Sequence, residues 1–158
     1  MKALVVYDSK YGNTERIARA IAGGLGDAAL RHVADVRAED VDNADLLVVG
    51  SPTQGGRPTP ALLALLDRLR EEDLKGKDVA AFDTRIDGRH RNFLVRGFLG
   101  VIGYAAPRIA RRLEAKGGRR AAAPEGFVVE ATEGPLRAGE EQRAETWAKA
   151  LPRAALNR

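Results

Sequence analysis

The 158-residue sequence contains no cysteine, so disulfides, thiolate nucleophiles, iron–sulfur ligation and zinc–thiolate sites are excluded by counting. Its two histidines, His32 and His90, are too few for an imidazole-rich metal site, and no metal site is expected. No apolar run approaches the roughly 20 residues of a membrane span. Met1-Lys2 leads into a short apolar segment that has neither the hydrophobic stretch nor the small-residue cleavage site of a secretory leader. These absences give the expectation of a soluble, cytoplasmic protein. The length fits one domain over residues 1–158, large enough to cover a sheet with helices on both faces.

Charge is present but unevenly spread. The net charge is +4, yet the stretch from Arg85 to Arg120 holds ten basic residues and two acidic ones, Asp87 and Glu114, so everything outside it is net acidic. Such a region is either a solvated face in an arginine-rich chain or a docking patch for an acidic partner, an anionic lipid surface or a nucleic acid. Both readings stay open at the level of sequence.

Five strand-like runs alternate with helical ones, which predicts an α/β architecture covered on both faces. The strands fall at Lys2 to Tyr7, Leu30 to Asp35, Leu46 to Gly50, Val79 to Asp83 and Phe127 to Glu130. A first helix from Glu15 carries Ile17, Ala18, Ile21, Ala22 and Leu25 on one face and stops among Gly23 to Gly26. A short turn at Glu39 to Asn43 stands in for a second helix. Thr59 and Pro60 mark the start of the next one, with Leu62, Leu63, Leu66 and Leu69 as its stripe. A further helix opens near Pro107, and the last spans Ala138 to Leu151, where Trp147 reads as packing. Between the fourth strand and Pro107, the mixed basic and apolar run from Asp87 to Gly103 is longer than such connections need and suits a lid, a contact surface or an extra helix.

The first strand runs directly into Asp8-Ser9-Lys10-Tyr11-Gly12-Asn13-Thr14, and a helix follows at once. A hydroxyl-bearing, glycine-containing turn there aims backbone N–H groups at a helix N-terminus, where unpaired donors and the macrodipole favour an anion. The third strand ends in Gly50-Ser51-Pro52-Thr53-Gln54-Gly55-Gly56. Ser9, Gly12 and Thr14 match Ser/Thr-x-x-Gly-x-Thr, and Gly50 to Thr53 match Gly-Ser-Pro-Thr; with this pairing the chain resembles the flavodoxin family. The resemblance implies a single-domain three-layer sandwich with a five-stranded parallel sheet of order 2-1-3-4-5. It also implies non-covalent FMN at the β1/β3 switch point. FMN would be held by Ser9, Lys10, Tyr11, Gly12, Asn13 and Thr14 around its phosphate. Ser51, Pro52, Thr53, Gln54, Gly55 and Gly56, with Asp83, Thr84 and Arg85, would border the ring. Gln54 stands where many members carry a stacking aromatic, and the third loop also lacks one, leaving Tyr11, His90 and Phe93 as candidate ring neighbours.

The implied function is electron transfer between redox partner proteins, with no side chain acting as acid, base or nucleophile. Arg85 is expected to place a cation near the ring. The rivals are an FMN-dependent reductase or dehydrogenase acting on a quinone or porphyrinogen, and a flavin-free binding module of the same fold. Other motifs fail: Gly24-Leu25-Gly26 ends a helix instead of following a strand, and neither a phosphate-loop lysine motif nor a Gly-x-Ser-x-Gly elbow occurs. Gly50-Ser51 occupies the place where a receiver domain needs a carboxylate. Nothing points to nucleic acid as a partner.

Overall fold

Strand β1 (Ala3–Tyr7) is buried along its whole length, as expected of a central parallel strand covered on both faces. In a computed structural model that describes residues 2–86 and 103–152, it pairs in parallel with β2 (Ala28–His32) on one side and β3 (Leu46–Pro52) on the other. Strand β4 (Asp78–Ile86) extends the sheet beyond β3. The outer edge of β4 carries two strands in succession, β5 (Arg119–Arg120) against its start and β6 (Glu125–Val129) against its end. The order is therefore 2-1-3-4-5, with a sixth strand sharing the fifth position. This corrects the expectation of five strands. Pro124, which has no N–H to give a ladder, sits in the gap between the two pieces.

Alternation along the strands sorts the core into two layers. Leu4, Val6, Leu47, Val49, Val79 and Ala81 face α3 (Pro60–Arg68) and α4 (Ala105–Ala115) through Leu62, Leu66, Ile109 and Leu113. Ala3, Val5, Tyr7, Leu46, Val48, Ala80 and Phe82 face α1 (Asn13–Leu25) and α5 (Glu140–Lys149) through Ile17, Ile21, Ala144 and Ala148. The strand residues have period two, so helices must cover both faces. Trp147 packs on the second layer, edge-on to Phe127 at 6.1 Å.

Two boundaries and one buried face differ from the sequence reading. β2 begins at Ala28 and ends at His32, opposite Tyr7, because an edge strand stops where its single neighbour stops; Val33–Asp35 is a 3-10 turn, followed by the five-residue α2 (Ala38–Asp42). Helix α1 passes through Gly23 and Gly24 before Gly26 caps it. A Cβ on Gly24 would lie 2.5 Å from the Glu145 carbonyl oxygen, so glycine there lets α1 and α5 approach. In α3 the buried leucines are Leu62, Leu65 and Leu66, while Leu63 faces outward. Among the described residues no helix is long and apolar enough to cross a membrane.

Candidate functional site

The β1–α1 loop leaves its sheet at Asp8, whose N–H donates to the Gly50 carbonyl and so ties it to the end of β3. Ser9 Oγ accepts from the amides of Gly12 at 3.1 Å and Glu15 at 3.4 Å, curling the loop around its hydroxyl. Gly12 caps α1 at φ 91°, a left-handed conformation that costs a side-chain-bearing residue about 1–2 kcal/mol. The amides of Lys10, Tyr11, Asn13 and Thr14 meet no protein acceptor among the described residues. They are available to an anion at the positive end of a thirteen-residue helix.

Asp8 is the anchor of this loop. Its carboxylate accepts from the Ser9 amide, from Thr59 Oγ1 at 2.5 Å and, at 3.3 Å, faces His32 Nε2. His32 Nδ1 accepts from the Ala34 amide, which leaves Nε2 as the nitrogen bearing hydrogen toward Asp8. Beneath the loop, Tyr7 donates to Glu15 at 2.7 Å. Burial, followed by that bond, pushes the Tyr7 hydroxyl up to about 12, and the same bond holds the Glu15 carboxyl below its ordinary value.

At the end of β3, Ser51 is fully buried, with its hydroxyl donating to the Pro52 carbonyl and accepting from the Thr59 amide. Gln54 and Arg57 then pair across a tight turn through reciprocal backbone bonds of 2.8 and 3.0 Å. Gly55 and Gly56 occupy its centre at φ 57° and 79°, the positive pair that a primed two-residue turn requires.

The end of β4 supplies the opposite wall, and its polar groups are already engaged. Asp83 has no exposed surface; its carboxylate accepts from Arg85 Nε and Nη2, both at 2.7 Å, and from the Ala106 amide at 2.8 Å. Burial pushes the Asp83 carboxyl up, against the opposing pull of Arg85 and the Ala106 amide. The Arg85 guanidinium lies over the Tyr104 ring at 3.7 Å, and a Cβ on Gly126 would come within 2.5 Å of three of its atoms. Arg85 thus reaches the cavity wall while paired with Asp83 and sandwiched between Tyr104 and Gly126. Thr14 and Thr84 share a hydrogen bond of 2.7 Å, joining α1 to β4.

These walls enclose a cavity of about 380 Å³ above the carboxyl ends of β1, β3 and β4. Lys10, Tyr11, Asn13, Thr14, Pro52, Thr53, Gln54, Gly55, Thr84 and Arg85 all line it, so ten of the residues singled out from sequence come together. Ser9, Gly12, Ser51, Gly56 and Asp83 do not line it and act on its shape from behind. Ile86, Val129 and Thr132 also line it and were missed by sequence reasoning, since strand-end positions carry no motif. Asp8 and Thr59 were missed as supports because a strand-end carboxylate and a helix cap have ordinary local explanations. No lining residue is a carboxylate. His90 and Phe93, with the run from Asp87 to Ile102, lie outside the described residues.

Amide donors at one end and Tyr11, Pro52, Ile86 and Val129 elsewhere make a site for a ligand with an anionic group and an apolar body. A flavodoxin of Aquifex aeolicus is 34% identical over 91 residues, covering 52% of this chain and 49% of the relative. A flavodoxin of Maridesulfovibrio salexigens is 36% identical over 89 residues, covering 51% and 61%. The matches thus span about half to three-fifths of those relatives. The structure of a flavodoxin from the domain Archaea superposes with a TM-score of 0.73 over 94% of both chains at 22% identity, a likeness of fold. The flavodoxin family model matches residues 5–147, and the chain belongs to the flavodoxin family.

Proposed function

We propose that this protein binds FMN in the cavity at the carboxyl edge of the sheet and carries electrons between redox partners. Membership of the family implies a flavin cofactor, typically FMN. The observation that carries the reading is the set of amides at Lys10, Tyr11, Asn13 and Thr14 that meet no acceptor among the described residues, opening on a 380 Å³ cavity whose described lining holds no carboxylate. That size falls within the range of about 300–1,000 Å³ usual for small-molecule sites. When bound, the flavin supplies reversible uptake of electrons. The protein's own residues bind and enclose it: the amides of Lys10, Tyr11, Asn13 and Thr14 receive the phosphate. Pro52, Ile86 and Val129 supply apolar contact, and Tyr11, 43% exposed, is the aromatic at the rim. Thr53, Gln54 and Gly55 offer polar groups from the turn, which Gly55 and Gly56 allow to rearrange.

The protein as purified should absorb in the visible as a flavoprotein, or quench added FMN fluorescence stoichiometrically. A colourless protein that leaves FMN fluorescence unchanged overturns the reading. Within it, Gly12→Val is expected to weaken FMN about 5- to 30-fold, because the left-handed loop is lost at a cost of about 1–2 kcal/mol. A Cβ at Gly12 meets nothing within 4 Å, so the chain should still fold.

A further inference from the structure

The turn beside the candidate flavin pocket has a second side. Gln54 and Gly55 line the pocket, whereas Arg57, bonded to Gln54 across the turn, lines a separate cleft of about 260 Å³ together with Arg108, Arg111 and Arg112 of α4. The helical arginines stand at i, i+3 and i+4 and therefore share one face, while Ile109, Ala110 and Leu113 turn to the core. Pro58, Leu63 and Ala115 complete the lining, which among the described residues contains no carboxylate. Arg112 is paired with Asp67 at 2.6 Å, as Arg85 is with Asp83, Arg119 with Asp78 and Arg120 with Glu114. Arg57 and Arg111 are the cleft arginines that meet no carboxylate among the described residues.

We infer that this cleft is the docking site for an acidic partner protein, seated against the outer side of the Gln54–Arg57 turn. The inference rests on the reading of the neighbouring cavity as the flavin site. Guanidinium groups beside Pro58, Leu63 and Ala115 are of the residue types that protein interfaces favour, with arginine enriched and carboxylates depleted. Arginine adds forked donors that fit carboxylates in pairs. A single-stranded nucleic acid is disfavoured because, among the described residues, the cleft offers no aromatic on which a base could stack. Charge concentrated in a concave surface acts chiefly on encounter and orientation, so the docking should weaken with salt.

The test is binding of a fluorescent oligoglutamate, followed by anisotropy across a salt series, to the full chain with and without FMN. Arg57→Glu/Arg111→Glu should lose at least about tenfold in affinity at low salt and most of the salt dependence. Arg19→Glu/Lys149→Glu, on α1 and α5, changes net charge equally and should retain both. Arg57→Gln/Arg111→Gln should fall between them, which guards against an effect of reversal on folding. Equal losses in the two reversed variants, or none in the first, overturn the inference. Tighter binding of an oligothymidylate of equal length, lost in the same variant, would make the cleft a nucleic-acid surface and overturn it too. Flavin affinity is titrated separately: oligoglutamate binding without FMN binding leaves the docking site and removes the flavin reading, and the reverse removes only the docking site.

Discussion

Two carboxylate–arginine–aromatic clusters meet at Gly126 and behave differently. Asp83 on β4 takes Arg85 as a fork and the Ala106 amide, with Arg85 over Tyr104. Glu140 on α5 takes Arg143 as a fork at 2.8 Å and the Val128 amide at 2.7 Å, with Arg143 over Phe127 at 4.5 Å. Gly126 leaves room for the first guanidinium, and its carbonyl accepts from the second. Yet Asp83 is pushed up by burial, whereas the Arg143 bond holds Glu140 below its ordinary value. The difference is water. Asp83 has none of its side chain exposed and Arg85 has 21%, against 9% and 42% for Glu140 and Arg143. Similar partners stabilise a carboxylate only when desolvation does not outweigh them.

The sharpest way to break this comparison is to remove each arginine in turn. Arg85→Ala strands a fully buried carboxylate and should cost about 3–5 kcal/mol in urea unfolding. A cost below about 1 kcal/mol would place it among surface pairs and erase the contrast. Arg143→Ala leaves Glu140 its Val128 amide and some solvent, so about 1–2 kcal/mol is expected, between the surface and buried cases.

The smallest effect is in pH. Glu140 has a folded pKa below its ordinary 4.5, so its contribution is fully present above that value and is lost as pH falls through the folded one. Glu140→Gln should accordingly flatten the acid side of the stability–pH curve. Asp83 works in the opposite sense, its charged form withdrawing stability as pH rises from its ordinary 3.8 through the raised folded value. An unflattened acid limb in Glu140→Gln would show that the Arg143 bond does not lower Glu140.

The sequence by itself determined a parallel sheet covered on both faces, because apolar runs at β1, β3 and β4 need such cover and short alternating connections allow few topologies, while the strand order was what the family resemblance implied. It also located the phosphate-type loop at 9–14, where Gly12 and the helix start act over a few neighbouring residues, and the Thr59 cap of α3. It did not determine where β2 stops, since that depends on the end of β1, nor the sixth strand. Ile86, Val129 and Thr132 were illegible as site residues because only strand register brings them to one edge. The fate of each arginine was likewise decided in three dimensions. Arg85 is spent on Asp83 two residues away, whereas Arg57 joins Arg108, Arg111 and Arg112 across about fifty residues of chain to form a basic cleft. A side chain's charge is written in the sequence, but whether it is neutralised depends on which carboxylate the folded chain brings within reach, and tertiary contact alone settles that.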